Sequence, residues 1–260
     1  MNSLQQEVNN ILIGKIETTI KQQIEKYGTI CLVLIDSENL STKRTINIIR
    51  KVQKCGVSGI LIGGSTAIDQ LELDKIVKTV KSVTSLPVIL FPGNITGISP
   101  NADAIFFSSL LNSDNPYFIS QSQALGSILV KKYSIEAIPM GYIVVGDAGT
   151  IGFIGQARGI PPNKPNLVAM YALASQYLGM RFVYLEAGSG VTSHITSSIV
   201  EYVRKLVDCI LVVGGGIKSA KIAKEIANAG ADIIVVGTLI EQKNFKLELK
   251  EIVSTIMKKR

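Results

Sequence analysis

Eight short runs rich in β-branched residues recur along the chain, at 30–36, 59–63, 88–91, 104–107, 143–145, 182–186, 209–213 and 233–237. Most are apolar throughout and do not alternate with polar residues. A strand of that kind is buried on both faces, as in a parallel sheet covered by helices. Helix-like segments lie between most of them, at 41–54, 69–83, 116–133, 164–178, 193–206 and 219–228, with 4–26 before the first run and 244–258 after the last. Eight strands alternating with helices predict an α/β protein, a closed TIM-type (β/α)8 barrel more than an open doubly wound sheet. The 260 residues fit one such domain, for which about 250 is typical. Residues 1–29 read as an N-terminal helical extension closing the barrel bottom.

One crossover breaks the rule. Only ten residues, GNITGISPNA, separate Pro92 from Asp103. A crossover with its helix needs about ten to twelve or more, and this one is full of helix breakers. The barrel is therefore expected in modified form, its third helix replaced by an irregular segment. Such local departures often serve a site.

Composition removes several classes of function. No apolar stretch approaches the roughly 20 residues that span a bilayer. The opening MNSLQQEVNN lacks a basic start and an apolar middle, so a cytoplasmic protein is expected. The net charge is +7, but the lysines are scattered over helix-like segments, apart from Lys258-Lys259-Arg260, and no aromatics interleave with them. That pattern is a solvated surface, and no nucleic-acid partner is expected. Cys31, Cys55 and Cys209 lack metal-ligand spacing, and His194 is the only histidine.

Barrel enzymes place their chemistry at the C-terminal ends of the strands. There the chain carries Asp36, then Gly63-Gly64-Ser65, and later YLEAGSG at 184–190, VVGGGIKS at 212–219 and VVGT at 235–238. Glycines between a strand and a helix let backbone amides approach an anion, and the helix N-terminus adds positive potential. A phosphate held after the seventh and eighth strands is recurrent in barrels. Glu186 puts a carboxylate beside that pocket, able to bind a substrate hydroxyl or take its proton; capping the next helix is the alternative. Asp36 can hold Mg²⁺, with Ser65 beside it, or cap the entry of the helix at 41.

The motifs YLEAGSG, VGGGIKS, ADIIVVGT and LIGGS, with IPPNKPNLVAMYALASQYLGMRFVYLEAGSG, closely resemble the geranylgeranylglyceryl phosphate synthase family of archaea, from Ile30 to about Leu239. The resemblance implies a modified TIM barrel lacking the regular third helix. It implies an enzyme that joins geranylgeranyl diphosphate to the 3-hydroxyl of sn-glycerol 1-phosphate with Mg²⁺, releasing diphosphate and forming the first ether bond of archaeal membrane lipids. Carried over by motif, glycerol 1-phosphate would contact Tyr184, Leu185, Glu186, Ala187, Gly188, Ser189, Gly190, Gly214, Gly215, Gly237 and Thr238. Asp36 and Ser65 would hold the metal, and Glu186 and Tyr184 would be catalytic, the former accepting the hydroxyl proton and the latter orienting the glycerol. The family further implies a homo-oligomer, dimer or hexamer. The lipid product suggests peripheral membrane contact. Both the N-terminal extension and the YLEAGSG wording match the larger archaeal group.

Phe91, Ile95, Ile98, Phe106, Tyr117, Leu125 and Tyr142 are candidates for a prenyl channel, although any of them can be plain core. Two enzymatic alternatives stand beside this reading. One is the same chemistry with a longer donor such as heptaprenyl diphosphate. The other is a different phosphate-binding barrel, a sugar-phosphate isomerase or a synthase of the thiamin phosphate type.

Overall fold

In a computed structural model, which describes residues 13–36, 41–64, 69–189, 193–242 and 244–258, eight parallel strands close into one barrel in sequence order. In chain order the elements are α1 (Lys15–Tyr27), β1 (Ile30–Asp36), α2 (Thr42–Val52), β2 (Gly59–Gly64), α3 (Gln70–Lys81), β3 (Val88–Pro92), β4 (Ala104–Leu110), α4 (Ser122–Lys132), β5 (Glu136–Ala148), α5 (Gly149–Ile154), α6 (Pro165–Tyr177), β6 (Phe182–Ser189), α7 (Ser197–Arg204), β7 (Ile210–Gly214), α8 (Ala220–Asn228), β8 (Ile233–Val236) and α9 (Phe245–Ile256). The barrel closes where Ile30–Val33 pair with Ile233–Val236. No described helix is long and apolar enough to cross a membrane. Residues 1–12, which include the start of the helix expected at 4–26, lie outside the described residues, as do Ser65 and Gly190.

The continuous apolar runs are explained by two cores. Ile30, Leu32, Leu61, Ile89, Phe106, Tyr184, Val212 and Val235 fill the barrel interior. Their neighbours along each strand, such as Cys31, Val33, Ile60, Leu90, Leu185 and Val213, pack outward against the helices. With both faces buried, neither face can be polar. Helix starts follow side-chain caps. Ser41 accepts from the Arg44 amide at 3.3 Å, Asp69 from the Leu71 amide at 2.8 Å, and Ser219 from the Ile222 amide at 3.4 Å.

Helix α1 lies across the N-terminal end of the barrel, its Ile20 buried in the interior core. Two carboxylates fix it there. Glu136, at the start of β5, accepts from the amides of Ile16 and Glu17, both at 2.7 Å, which satisfies open N–H groups of the helix from a strand distant in sequence. Glu17 is fully buried and pairs with Arg181, just before β6, at 2.7 Å and with Lys21 at 3.0 Å.

Between β3 and β4 there is no α-helix, only a short 3₁₀ turn at Ile95–Gly97. The segment is held from α3. Asp74 accepts from Ser99 and from Asn101, both at 2.6 Å, and Gln70 donates to the Ile98 carbonyl at 2.9 Å. Burial opposes the Asp74 charge, but Lys78, Ser99 and Asn101 outweigh it and hold the carboxyl below its ordinary value.

Three expectations on boundaries are corrected. The fifth strand is not the short 143–145 run but extends over Glu136–Ala148, because it pairs with β4 from Glu136 and with β6 from Met140. Pro139, Gly141 and Gly146 obscure it in the sequence. A one-turn helix, α5, precedes the helix expected at 164–178. Helix α7 starts at Ser197, not near 193.

Candidate active site

Strand β6 delivers its side chains by simple alternation. Phe182 and Tyr184 point into the barrel, whereas Val183, Leu185 and Ala187 point to the helix layer. Glu186 is therefore the next inward residue, one layer above Tyr184 at the C-terminal mouth. Of the candidates in YLEAGSG, Leu185 and Ala187 turn their side chains away from the mouth and can reach a ligand there only through backbone.

The Glu186 carboxylate is buried and doubly held. One oxygen accepts from the Gly188 amide at 2.6 Å, the other from the Tyr142 hydroxyl at 3.3 Å. Burial raises its pKa above the usual carboxylate value, while the Gly188 amide and the phenols of Tyr142 and Tyr184 pull it partway back. The phenols of Tyr142 and Tyr184 are pushed well up, first by burial and then by the Glu186 charge, so both remain donors. Capping of the following helix by Glu186 is overturned, since the carboxylate is turned back onto Gly188 and Thr196 precedes α7.

Opposite Glu186 on β7 is Gly214. A Cβ there would fall on the Tyr184 hydroxyl, so this glycine makes room for the tyrosine. Gly215 follows with φ +83°, and its Cβ would fall on the Glu186 carboxylate. This backbone forms one wall of a cavity of mixed lining, whose polar side comprises Tyr184, Glu186, Gly188, Gly215 and Gly216, with Gly237 and Thr238 after the neighbouring β8. Arg44 of α2 and Lys218 also face it. Sequence reasoning missed both cations. Arg44 looked like scattered surface charge. Lys218 carried a signal, two residues beyond the triple glycine.

A second cavity adjoins the first. It runs from Asp36, Gly63 and Phe91 over the ends of β3 and β4 to Phe106, Phe107, Phe118 and Gly126, beside Ile95 and Ile98 of the irregular segment. Its lining is mostly apolar, and it occupies the place a third helix would take. Phe91, Ile95, Ile98, Phe106 and Tyr142 line it as the sequence suggested. Tyr117 and Leu125 do not: Tyr117 donates to Asn94 at 2.6 Å, and Leu125 is 59% exposed on α4. Three residues, Leu34, Asp36 and Glu186, line both cavities.

Asp36 ends β1 exposed at this junction. No three described His, Cys, Asp or Glu side chains form a metal-binding cluster. A single carboxylate at an open mouth nevertheless fits Mg²⁺, which keeps several waters and binds through one or two carboxylates plus substrate phosphates. It fits Zn²⁺ poorly, since that ion takes three or four protein ligands.

The sequence model described as the PcrB family matches residues 22–256. The chain is 49% identical over 245 residues to the geranylgeranylglyceryl phosphate synthase of Nitrosopumilus maritimus, covering 94% of this chain and 98% of that one. It is 51% identical over 235 residues to the enzyme of the same name from Pyrococcus horikoshii, covering 90% and 92%. The crystal structure of (S)-3-O-geranylgeranylglyceryl phosphate synthase from Thermoplasma acidophilum, in complex with sn-glycerol-1-phosphate, superposes with a TM-score of 0.89 at 37% identity, covering 94% and 99%.

Proposed function

Because the chain belongs to the PcrB family, we propose that it transfers a geranylgeranyl group from its diphosphate to the 3-hydroxyl of sn-glycerol 1-phosphate, an early step of ether-lipid synthesis. The observation that carries this reading is the meeting of two unlike cavities at Asp36 and Glu186. One is the more polar, glycine-walled and faced by two cations; the other is mostly apolar. A glycerol phosphate suits the first and a prenyl tail the second. A sugar-phosphate isomerase or a thiamin phosphate type of synthase needs only the first.

In this reading the loop amides around Gly215–Gly216 and Gly237–Thr238, with Lys218 and Arg44, bind the phosphate. Tyr184 and Glu186 then orient the glycerol. The prenyl C1–O bond breaks with allylic cation character, and the glycerol 3-oxygen bonds to C1 as its proton passes to the Glu186 carboxylate. Asp36, with Ser65 carried over by motif, would hold Mg²⁺, which supplies charge neutralisation for the departing diphosphate. The apolar walls from Phe91 to Gly126 hold the tail and exclude water from the reacting carbon.

The test is purified protein with radiolabelled sn-glycerol 1-phosphate, Mg²⁺ and prenyl diphosphates of graded length. A lipid-soluble product, formed best with the geranylgeranyl donor, is expected. A best rate with heptaprenyl diphosphate would reassign the donor. No lipid-soluble product with any donor would overturn the reading.

A further inference from the structure

We propose that Tyr142 is a positioning residue for this reaction, its hydroxyl setting the orientation and charge of Glu186 from the prenyl side of the site. The inference rests on Glu186 being the proton acceptor. Tyr142 lies on β5, where it pairs directly with Tyr184, and Val144 pairs with Glu186. The residue directly opposite the carboxylate is thus a valine, which cannot donate. The phenol reaches diagonally instead, to the Glu186 oxygen that the Gly188 amide leaves open. That diagonal is within range of a long aromatic side chain.

The ring cannot drift from this post. It packs edge-on against Phe91 at 5.4 Å and against Tyr184 at 5.1 Å, and it is 8% exposed. Its body walls the apolar cavity while Tyr184 faces the polar one. The two phenols thus reach Glu186 from different cavities: Tyr184 lines the one that suits glycerol, whose hydroxyls would compete for it, and Tyr142 lines the one that suits the tail, which brings no competitor. The other charged groups around the carboxylate are Asp36 of β1, Arg44 of α2, Lys218 after β7 and Glu241 after β8, all lining the glycine-walled cavity. Of these, Asp36 at the junction also lines the apolar cavity. Loss of the Tyr142 hydroxyl leaves one oxygen of a buried carboxylate against apolar walls, which favours its protonated form. Protonated, it accepts no proton.

The test replaces only the hydroxyl. Tyr142→Phe keeps the ring and its packing. Its kcat is expected to fall roughly ten- to a hundredfold, the worth of one hydrogen bond to a charged group, with each KM moving less than about threefold. The acid limb of its kcat/KM profile is expected to shift to higher pH. Incorporation of 3-fluorotyrosine at 142 strengthens the donor without changing the shape, and should move the same limb to lower pH. It also decides the matter if Tyr142→Phe does not fold. Glu186→Gln is measured alongside. A large loss in Glu186→Gln with no movement of the acid limb in either Tyr142 variant would overturn the role of Tyr142 alone. Near-normal turnover in Glu186→Gln would overturn the proton-acceptor reading and this inference with it.

Discussion

Glu186 sits where a negative charge is costly to hold, and that cost separates activity from stability. Glu186→Gln keeps the shape and removes the charge, so single-turnover rates should fall at least about a hundredfold, while the prenyl diphosphate binds much as before. Stability should move the other way. The folded carboxyl has a raised pKa, so its contribution is present below the unfolded value, about 4.3, and is lost as pH rises through the folded one. At neutral pH the glutamine variant should therefore melt at the same temperature as its parent or higher, and the gap should close towards pH 4 in thermal unfolding across pH. Gly215→Val is the companion case. Its Cβ would meet the Glu186 carboxylate and its φ of +83° disfavours any side chain, so affinity for glycerol 1-phosphate should drop at least about tenfold by titration calorimetry. Unchanged affinity would move the phosphate elsewhere. Glu186 and Gly215 were legible in the sequence because a charge and a glycine interrupt apolar runs. Arg44 was not, since a cation at a cavity rim reads like a cation in solvent, and Lys218 had only its place after the triple glycine to mark it. Tyr142 reads as core, and only the register of β5 on β6 gives its hydroxyl a partner.

At the scale of elements, the bottom of the barrel depends on α1, and α1 depends on a buried charge. Arg181→Ala leaves the fully buried Glu17 with Lys21 as its one ion-pair partner among the described residues. Breaking a buried pair from one side costs about 3 kcal/mol, to be read as a lower urea midpoint at unchanged slope. A loss below about 1 kcal/mol would mean that Lys21 suffices. The strands themselves were visible as apolar runs, because burial on both faces leaves no ambiguity of period. β5 was the exception, since its pairing with two long neighbours overrides three residues poor in strand propensity. The missing third helix was equally visible, because ten residues cannot hold a crossover. The hydrogen bonds by which Asp74 organises its replacement were not, as they join residues more than twenty positions apart. The apolar cavity passes between that replacement and Gly126 of α4, where an added Cβ would lie 3.1 Å from Ile98. Gly126→Leu should therefore abolish turnover of the geranylgeranyl donor yet spare a five- or ten-carbon donor in the same assay. Equal loss for all lengths would place the tail elsewhere.

At the scale of the whole molecule, the proposed acceptor and donor cavities share, among the described residues, Leu34, Asp36 and Glu186 alone. In the proposed reading the acceptor cavity is walled by the end of β6 and the segments after β7 and β8, and the donor cavity by β3, β4 and α4. Each half can change with little effect on the other, so losses from Gly215→Val and Gly126→Leu should be close to additive in free energy when combined. The irregular segment after β3 has a kinetic consequence as well. It lets the apolar cleft run from the barrel interior out between the irregular segment and α4. At about 0.8 kcal/mol per buried CH₂, a long prenyl tail is held by on the order of 10 kcal/mol, and departure into water is correspondingly slow. Departure straight into a bilayer exchanges one apolar surrounding for another and avoids most of that barrier. Added phospholipid vesicles should thus raise steady-state turnover severalfold while leaving the single-turnover rate unchanged, which would make the lipid phase the vehicle of product release and couple the pace of synthesis to the membrane area ready to receive it.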